Sequence, residues 1–279
     1  MQAVSGVLVP VLSKLKDMPA VNNRWSDFYI RTASAVVLGP IVLFCLWRGG
    51  LAWDLLMGVV MAGLGHEWGK LSKLRNPWFL AIVMLLIWAA MLLWGVSAGL
   101  QVVIALALAV WLVYGRMAGI GVPYAGIGGV LLIWLRHRYE VGLVDAAFLI
   151  LVIWGTDIGA YLAGRLCGGP KLAPKISPGK TWSGAVGGTL IGAAIGAVLA
   201  LATKGAPLHA FAAGVLISCC AQVGDLMESA IKRKLGVKDS GRTIPGHGGL
   251  FDRLDGFLTA VPLAALMAAL VHGGMALWG

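Results

Sequence analysis

The sequence is poor in charge. Asp, Glu, Lys and Arg make up only 12% of its 279 residues, about half the share found in soluble domains. Hydrophobic residues make up 59%, and 40 glycines allow close helix packing. This composition excludes an ordinary soluble domain. It predicts an all-α, polytopic integral membrane protein whose apolar side chains face lipid and other helices.

Cysteine is also scarce. The four cysteines show no spacing typical of a disulfide framework or a metal site, and we interpret them as small buried hydrophobic residues: Cys45, Cys167, Cys219 and Cys220. No cleavable signal peptide is evident, so the first apolar span is expected to act as an uncleaved anchor. No inverted repeat is visible either.

Nine apolar stretches have about the 20 residues that a membrane-spanning helix needs. Residues 1–27 precede them as an N-terminal cytoplasmic segment, and 28–279 form one transmembrane domain, with packing helices in 28–140 and the catalytic helices and loops in 141–279. The predicted spans run from about Tyr29 to Trp47, Leu51 to Leu71, Pro77 to Trp94, Val96 to Tyr114, Gly119 to Leu135, Leu143 to Leu166, Gly184 to Thr203, Pro207 to Lys232 and Asp255 to Trp278.

The distribution of basic residues predicts orientation. With the N-terminus inside, 18 of the 22 Lys and Arg residues fall in cytoplasmic segments. The positive-inside rule therefore places the N-terminus in the cytoplasm and the polar loops of the second half on the same side. A net charge of +10 favours anionic partners, and short loops between spans suit lipid headgroups and nucleotide phosphates better than nucleic acid.

The most polar run is Ser229 to Asp255. Within it, cations and carboxylates surround a Pro-Gly-His-Gly-Gly segment, 245–249, that cannot continue a helix and leaves backbone N–H groups free. A basic cytoplasmic loop would account for its lysines and arginines alone. It would not account for the aspartates, the histidine and the glycines among them, so we favour a site for phosphates and a metal ion.

Two other segments carry polar chemistry. Asp157 lies inside an apolar span, where a carboxylate is costly and usually marks a site. The segment Lys171 to Thr181 ends in Gly-Lys-Thr, as a P-loop does. However, Pro174 stands where that motif needs glycine and no strand is predicted before it, which excludes a soluble P-loop NTPase. Its lysines and hydroxyls can still contact phosphate.

Carboxylates near the ends of the last two spans predict a metal site. Asp225 shares a helix face with Glu228, Ser229 and Lys232, which could also be a self-neutralising row. Asp252 and Asp255 are three residues apart, and like charges so close need a cation. Oxygen ligands favour Mg²⁺. Glu67 is interpreted as a local pairing group.

The second half resembles the CDP-diacylglycerol synthases, also called phosphatidate cytidylyltransferases. The resemblance rests on the pattern from Ser229 through Lys232-Arg233, Lys238-Asp239 and Pro245 to Gly249, ending at Asp252-Arg253 and Asp255. The runs around Asp157, Lys171 to Trp182 and Gly224 to Leu226 are also similar. The first half shows little beyond hydrophobicity and Glu67-Trp68.

The resemblance implies a reaction in which CTP and phosphatidate give CDP-diacylglycerol and pyrophosphate, with Mg²⁺, a potassium ion as a second ion, and homodimers. Asp225, Asp252 and Asp255 would hold the metal. Four further catalytic residues would hold the phosphatidate headgroup or the leaving pyrophosphate: Lys232, Arg233, Lys238 and Arg253. His247 would contact phosphate or act as an acid. The residues expected to bind substrate are Asp157, Lys171, Lys175, Ser177, Lys180, Thr181, Ser229 and Asp239.

Two other functions remain open from the residues. A transporter of an anionic solute would also carry acids within its spans, although here the polar residues lie at one membrane face and not at the midplane. A CTP-dependent lipid kinase would use similar charges and release CDP. The products separate the three: pyrophosphate, CDP, or solute flux without chemistry.

Overall fold

The computed structural model describes residues 23–241, 243, 248–271 and 275–279. His247 and residues 1–22 of the predicted N-terminal segment lie outside these ranges. Within them the chain forms nine α-helices and one β-hairpin. The helices are α1 (Asn23–Arg48), α2 (Gly50–Leu71), α3 (Trp78–Trp94), α4 (Val96–Tyr114), α5 (Arg116–Arg136), α6 (Gly142–Cys167), α7 (Trp182–Ala202), α8 (Pro207–Lys234) and α9 (Phe251–Leu270).

Each helix overlaps one predicted span, in the same order. Six of the nine helices in the described ranges, α4 to α9, are long and apolar enough to cross a membrane. Among the others, α3 is apolar but has only 17 residues, and α1 is apolar over Val36–Arg48. The chain is thus a helical membrane protein, and crossing by all nine helices stays a prediction.

The predicted bounds of the ninth span are wrong. The helix begins at Phe251 and ends at Leu270, whereas the apolar pattern predicts Asp255 to Trp278. Its early start has a physical reason, because the backbone N–H groups of Leu250 and Phe251 donate to the carboxylate of Glu67. At its other end Val271 takes an extended conformation, with φ −86° and ψ 129°.

A short hairpin interrupts the helices between α6 and α7. Strand β1 (Lys171–Ala173) pairs antiparallel with β2 (Ser177–Thr181), with Lys171 opposite Thr181. The sequence predicts a loop here, because strands of three and five residues carry almost no periodic signal. Gly-Lys-Thr therefore lies at the end of a hairpin strand. In a P-loop, the same tripeptide closes a glycine-rich loop.

Glycines bring α6, α7 and α8 close together. A Cβ atom on Gly188 would lie 2.6 Å from the carbonyl oxygen of Thr156, and one on Gly214 would lie 2.8 Å from Cα of Ala193. A buried hydrogen bond of 2.7 Å between the hydroxyls of Thr156 and Ser218 also links α6 to α8. Because the backbones approach so closely, the polar residues at the ends of these helices are fixed relative to one another.

Candidate active site

A cavity of about 680 Å³ lies where the hairpin meets the end of α6, the start of α7, the end of α8 and the start of α9. Four acids and four bases line it: Asp157, Asp225, Asp252 and Asp255, with Arg165, Lys180, Lys232 and Arg253. The rest of the wall is small, aromatic or uncharged: Ala160, Tyr161, Gly164, Leu172, Gly179, Thr181, Gly184, Ala185 and Gln222. Its volume is within the range of small-molecule sites.

Lys180 and Asp225 form an ion pair across the cavity, joining the hairpin to α8. The hydroxyl of Ser229, one turn further along α8, donates to Asp225 Oδ1 over 3.4 Å. Both partners of the ion pair are partly exposed to the cavity, with side-chain exposures of 26% and 35%. An incoming phosphate or cation can therefore reach either group.

Lys232 connects two acids on neighbouring helices. Its ammonium nitrogen lies 2.6 Å from Glu228 Oε2 on α8 and 2.6 Å from Asp252 Oδ1 on α9. Asp252 also accepts the backbone N–H groups of Ser240 at 3.0 Å and Gly249 at 2.8 Å. This network fixes Ser240 and Gly249, which lie between α8 and α9, to the cavity wall.

Three carboxylates line the same part of the cavity. Asp157, Asp225 and Asp255 line the same cavity and act on one another electrostatically. Lys180 and Arg253 offset part of this repulsion at Asp157. The arrangement accumulates negative charge at one place in the wall, where a bound cation would be stabilised.

The carboxylates fit a magnesium ion in part. Among the residues that the structure describes, no three His, Cys, Asp or Glu side chains are arranged as a ready metal site. Asp252 does not fit well, since both its oxygens accept bonds from Lys232, Ser240 and Gly249. Asp225 and Asp255 fit better, because Mg²⁺ is usually held by one or two carboxylates together with water and substrate phosphates.

The structure brings eight predicted site residues to the cavity: Asp157, Lys180, Thr181, Asp225, Lys232, Asp252, Arg253 and Asp255. Thr181 also caps α7, because its hydroxyl accepts the N–H of Gly184 at 3.1 Å. The other described ones lie outside the lining: Lys171, Lys175, Ser177, Ser229, Arg233, Lys238 and Asp239. Of these, Arg233 donates to the carbonyl of Ile176 in the hairpin turn over 3.3 Å. Asp239 lines a separate hollow of about 190 Å³ beside Lys70 and Lys73.

Sequence reasoning missed the role of Glu67. Its carboxylate, 1% exposed, accepts hydrogen bonds from residues 173 to 184 positions away, next to the cavity. The interpretation as a local pairing group is wrong for that reason. An acid within an apolar helix was the available signal, but nothing in the sequence names such distant partners.

Comparisons with known proteins identify a family for the chain. A model of the cytidylyltransferase family matches residues 29–271. The chain is 38% identical over 262 residues to the phosphatidate cytidylyltransferase of Brucella suis biovar 1 (strain 1330), covering 88% of this chain and 94% of that relative. It is 41% identical over 148 residues to that of Staphylococcus saprophyticus (52% of this chain, 56% of the relative) and 39% identical over 150 residues to that of Bacillus subtilis (strain 168) (53% and 55%).

The cavity and the family match indicate the same kind of enzyme. The cavity combines carboxylates and cations at one end of a helical membrane bundle, as a site for two phosphate-bearing substrates requires. The family match extends over most of the chain, from α1 to α9. The chain belongs to the cytidylyltransferase family.

Proposed function

We propose that this chain transfers the cytidylyl group of CTP to phosphatidate, which gives CDP-diacylglycerol and pyrophosphate. The observation that carries the proposal is the cavity in which Asp157, Asp225 and Asp255 face Lys180 and Arg253. The relatives named phosphatidate cytidylyltransferase support the same reaction.

The reaction needs charge neutralisation more than covalent catalysis. A phosphate oxygen of phosphatidate attacks the α-phosphorus of CTP. The new P–O bond forms as the bond to the bridging oxygen of the β-phosphate breaks, and pyrophosphate leaves with that electron pair. Both reactants are anions, so the site must hold them in line and offset their repulsion.

The cavity residues divide these tasks. Lys180 and Arg253 would attract the phosphates of the substrates. Thr181 and Gly184 also line the cavity, so the positive start of the α7 dipole would lie beside those phosphates. Asp225 and Asp255 would hold Mg²⁺, which supplies positive charge that offsets the negative charge of the phosphates. Lys232 holds Asp252 in place through their 2.6 Å contact.

The membrane arrangement belongs to the proposal as well. Nine crossings with the N-terminus in the cytoplasm put the cavity at the cytoplasmic face of a bacterial inner membrane, where CTP is available. The bias of basic residues toward that side supports this orientation. A topology reporter fused within the turn before α6 should lie outside the cytoplasm, and one fused after α8 should lie in the cytoplasm; the reverse result would contradict this orientation.

The direct test is incubation of the purified protein with labelled CTP, Mg²⁺ and phosphatidate in detergent micelles. Labelled CDP-diacylglycerol and one pyrophosphate per product are expected. Labelled CDP with no labelled lipid would identify a lipid kinase instead. Movement of solute across vesicles without either product would identify a transporter.

A further inference from the structure

We propose that Glu67 is a positioning residue: its buried carboxylate holds the segment between Ser240 and Phe251 at its described residues Ser240, Thr243, Leu250 and Phe251, so that Asp252 and Asp255 face the cavity. The inference rests on the proposed function for its meaning in catalysis. Glu67 lies on α2, in the half of the chain that the sequence assigns to packing, and outside the cavity lining.

Four donors converge on this one carboxylate. Oε1 accepts the N–H of Leu250 at 2.7 Å and the hydroxyl of Thr243. Oε2 accepts the N–H of Phe251 at 2.9 Å and the hydroxyl of Ser240 at 3.1 Å. Hydrogen bonds to an ionised acceptor are about twice as strong as neutral ones, so this group ties together three separate points of the segment.

Two of these bonds cap α9. The first N–H groups of a helix have no partner inside it, and the N-cap residue of α9, Leu250, offers no side-chain acceptor. Glu67 supplies that acceptor from another helix, and its negative charge suits the positive end of the helix dipole. The position of the start of α9, which carries Asp252 in its first turn and Asp255 just beyond it, therefore depends on Glu67.

Ser240 links Glu67 directly to the cavity. Its hydroxyl donates to Glu67 while its backbone N–H donates to Asp252 at 3.0 Å. Asp252 in turn accepts from Gly249 and pairs with Lys232. Two carboxylates, one buried and one on the cavity wall, thus hold the same segment from opposite sides.

The backbone reaches Glu67 because two positions carry glycine. A Cβ atom on Gly241 would lie 2.8 Å from Glu67 Oε1, and one on Gly249 would lie 2.7 Å from Oε2. The adjacent Trp68 keeps α2 in place from the other side. Its ring lies 5.2 Å from that of Phe251, and its indole N–H donates to the carbonyl of Met117 at 2.8 Å.

The decisive variant is Glu67→Gln. It keeps the shape of the side chain but replaces one acceptor oxygen with an NH₂ donor that faces an N–H or a hydroxyl. We expect kcat to fall by about ten- to a hundredfold, as misplacement of reacting groups typically costs, with a smaller change in KM for CTP. Glu67→Asp retains the charge and should recover part of kcat. Hydrogen exchange should rise in 240–251 and not in α6.

Asp145→Asn is the matched control. Asp145 is also a fully buried carboxylate that accepts a backbone N–H, that of Leu277 at 2.8 Å, but at the opposite end of α6. It should lower the melting temperature and leave kcat of the folded protein unchanged. A Glu67→Gln protein with wild-type kcat, or one whose activity falls only in proportion to the loss of folded protein, would overturn the proposal.

Two further results keep the test decisive. Where Glu67→Gln does not fold, Ser240→Ala takes its place, because it removes one hydrogen bond to Glu67 and should lower kcat several-fold without loss of folded protein. Unchanged kcat and exchange in Ser240→Ala would then refute the positioning role. Wild-type protein that makes no CDP-diacylglycerol would sink the proposed function, whereas the exchange of 240–251 in Glu67→Gln would still test the anchoring itself.

Discussion

Two regions of helix α6 differ in how their carboxylates are paired. At the end near Asp145, the carboxylate pairs with Arg138 and accepts the N–H of Leu277, while Arg138 also donates to the carbonyl of Met275 over 3.1 Å. Nearby, His137 lies 3.1 Å from Asp54. In the half of α6 nearer Cys167, Asp157 faces Asp225 and Asp255. There three like charges share one cavity wall, and Lys180 and Arg253 offset only part of their repulsion.

The difference separates groups that stabilise the fold from groups that serve a ligand. A carboxylate that is already paired with a buried arginine contributes to the native state and has no capacity left for a substrate. Carboxylates that repel one another lower the stability of the ligand-free protein, and a cation or an ordered set of phosphate and metal groups relieves that repulsion. The proposed function accordingly places substrate binding at the cavity end.

Asp225→Asn should break the cavity end most severely. Removal of a carboxylate that faces the reacting phosphates should lower kcat about a hundred- to a thousandfold. The melting temperature should change little, because repulsion with Asp157 and Asp255 decreases while the ion pair with Lys180 is lost. Steady-state assays of lipid product and thermal unfolding in detergent measure both. An Asp225→Asn enzyme with full turnover would refute the assignment.

Lys180→Ala should give the next largest effect on activity. Lys180 lines the cavity and pairs with Asp225, whereas Lys175 lies in the exposed hairpin turn outside the lining. Loss of a charged contact to phosphate should raise KM for CTP about tenfold or more. Lys175→Ala is the comparison, expected to change KM by less than Lys180→Ala. Equal effects from the two lysines would show that the hairpin closes over the nucleotide as a whole.

Asp145→Asn should affect only the end of α6 that lies away from the cavity. It leaves Arg138 without its carboxylate, and removal of one partner from a buried pair costs about 3 kcal/mol of unfolding free energy. Chemical denaturation of the protein in mixed micelles can measure this loss. Turnover per folded molecule should equal that of wild type, and a change in turnover would contradict the separation of the two ends.

Ser229→Ala should have the smallest effect. Its hydrogen bond to Asp225 is long, 3.4 Å, and both groups are partly buried. Loss of such a bond costs about 0.5 kcal/mol, which corresponds to roughly a twofold change in kcat/KM. Competition assays between wild type and variant with limiting CTP can resolve a change of this size. A tenfold loss would mean that Ser229 contacts substrate itself.

Much of this structure could be predicted from local patterns in the sequence. Apolar runs of suitable length predict helices, and the i, i+3 spacing of Asp252 and Asp255 predicts their shared face, because both depend only on nearby residues. The contact of Lys232 with Asp252 joins two helices, and the hairpin pairs Lys171 with Thr181. Such pairings depend on tertiary packing, which residue spacing along one chain does not encode. For the same reason, the sequence predicts a metal role for Asp252 while the structure engages its oxygens in local bonds.

The location of Glu67 limits how this protein can be divided. A fragment that begins at α6 would contain every predicted catalytic and substrate-binding side chain, yet the carboxylate that caps α9 would be missing from it. Chimeras that exchange the second half between relatives should therefore work only when the α2 that accompanies it offers a carboxylate at the matching depth. The two halves of the chain therefore have to be exchanged together for the start of α9 to keep its carboxylate cap.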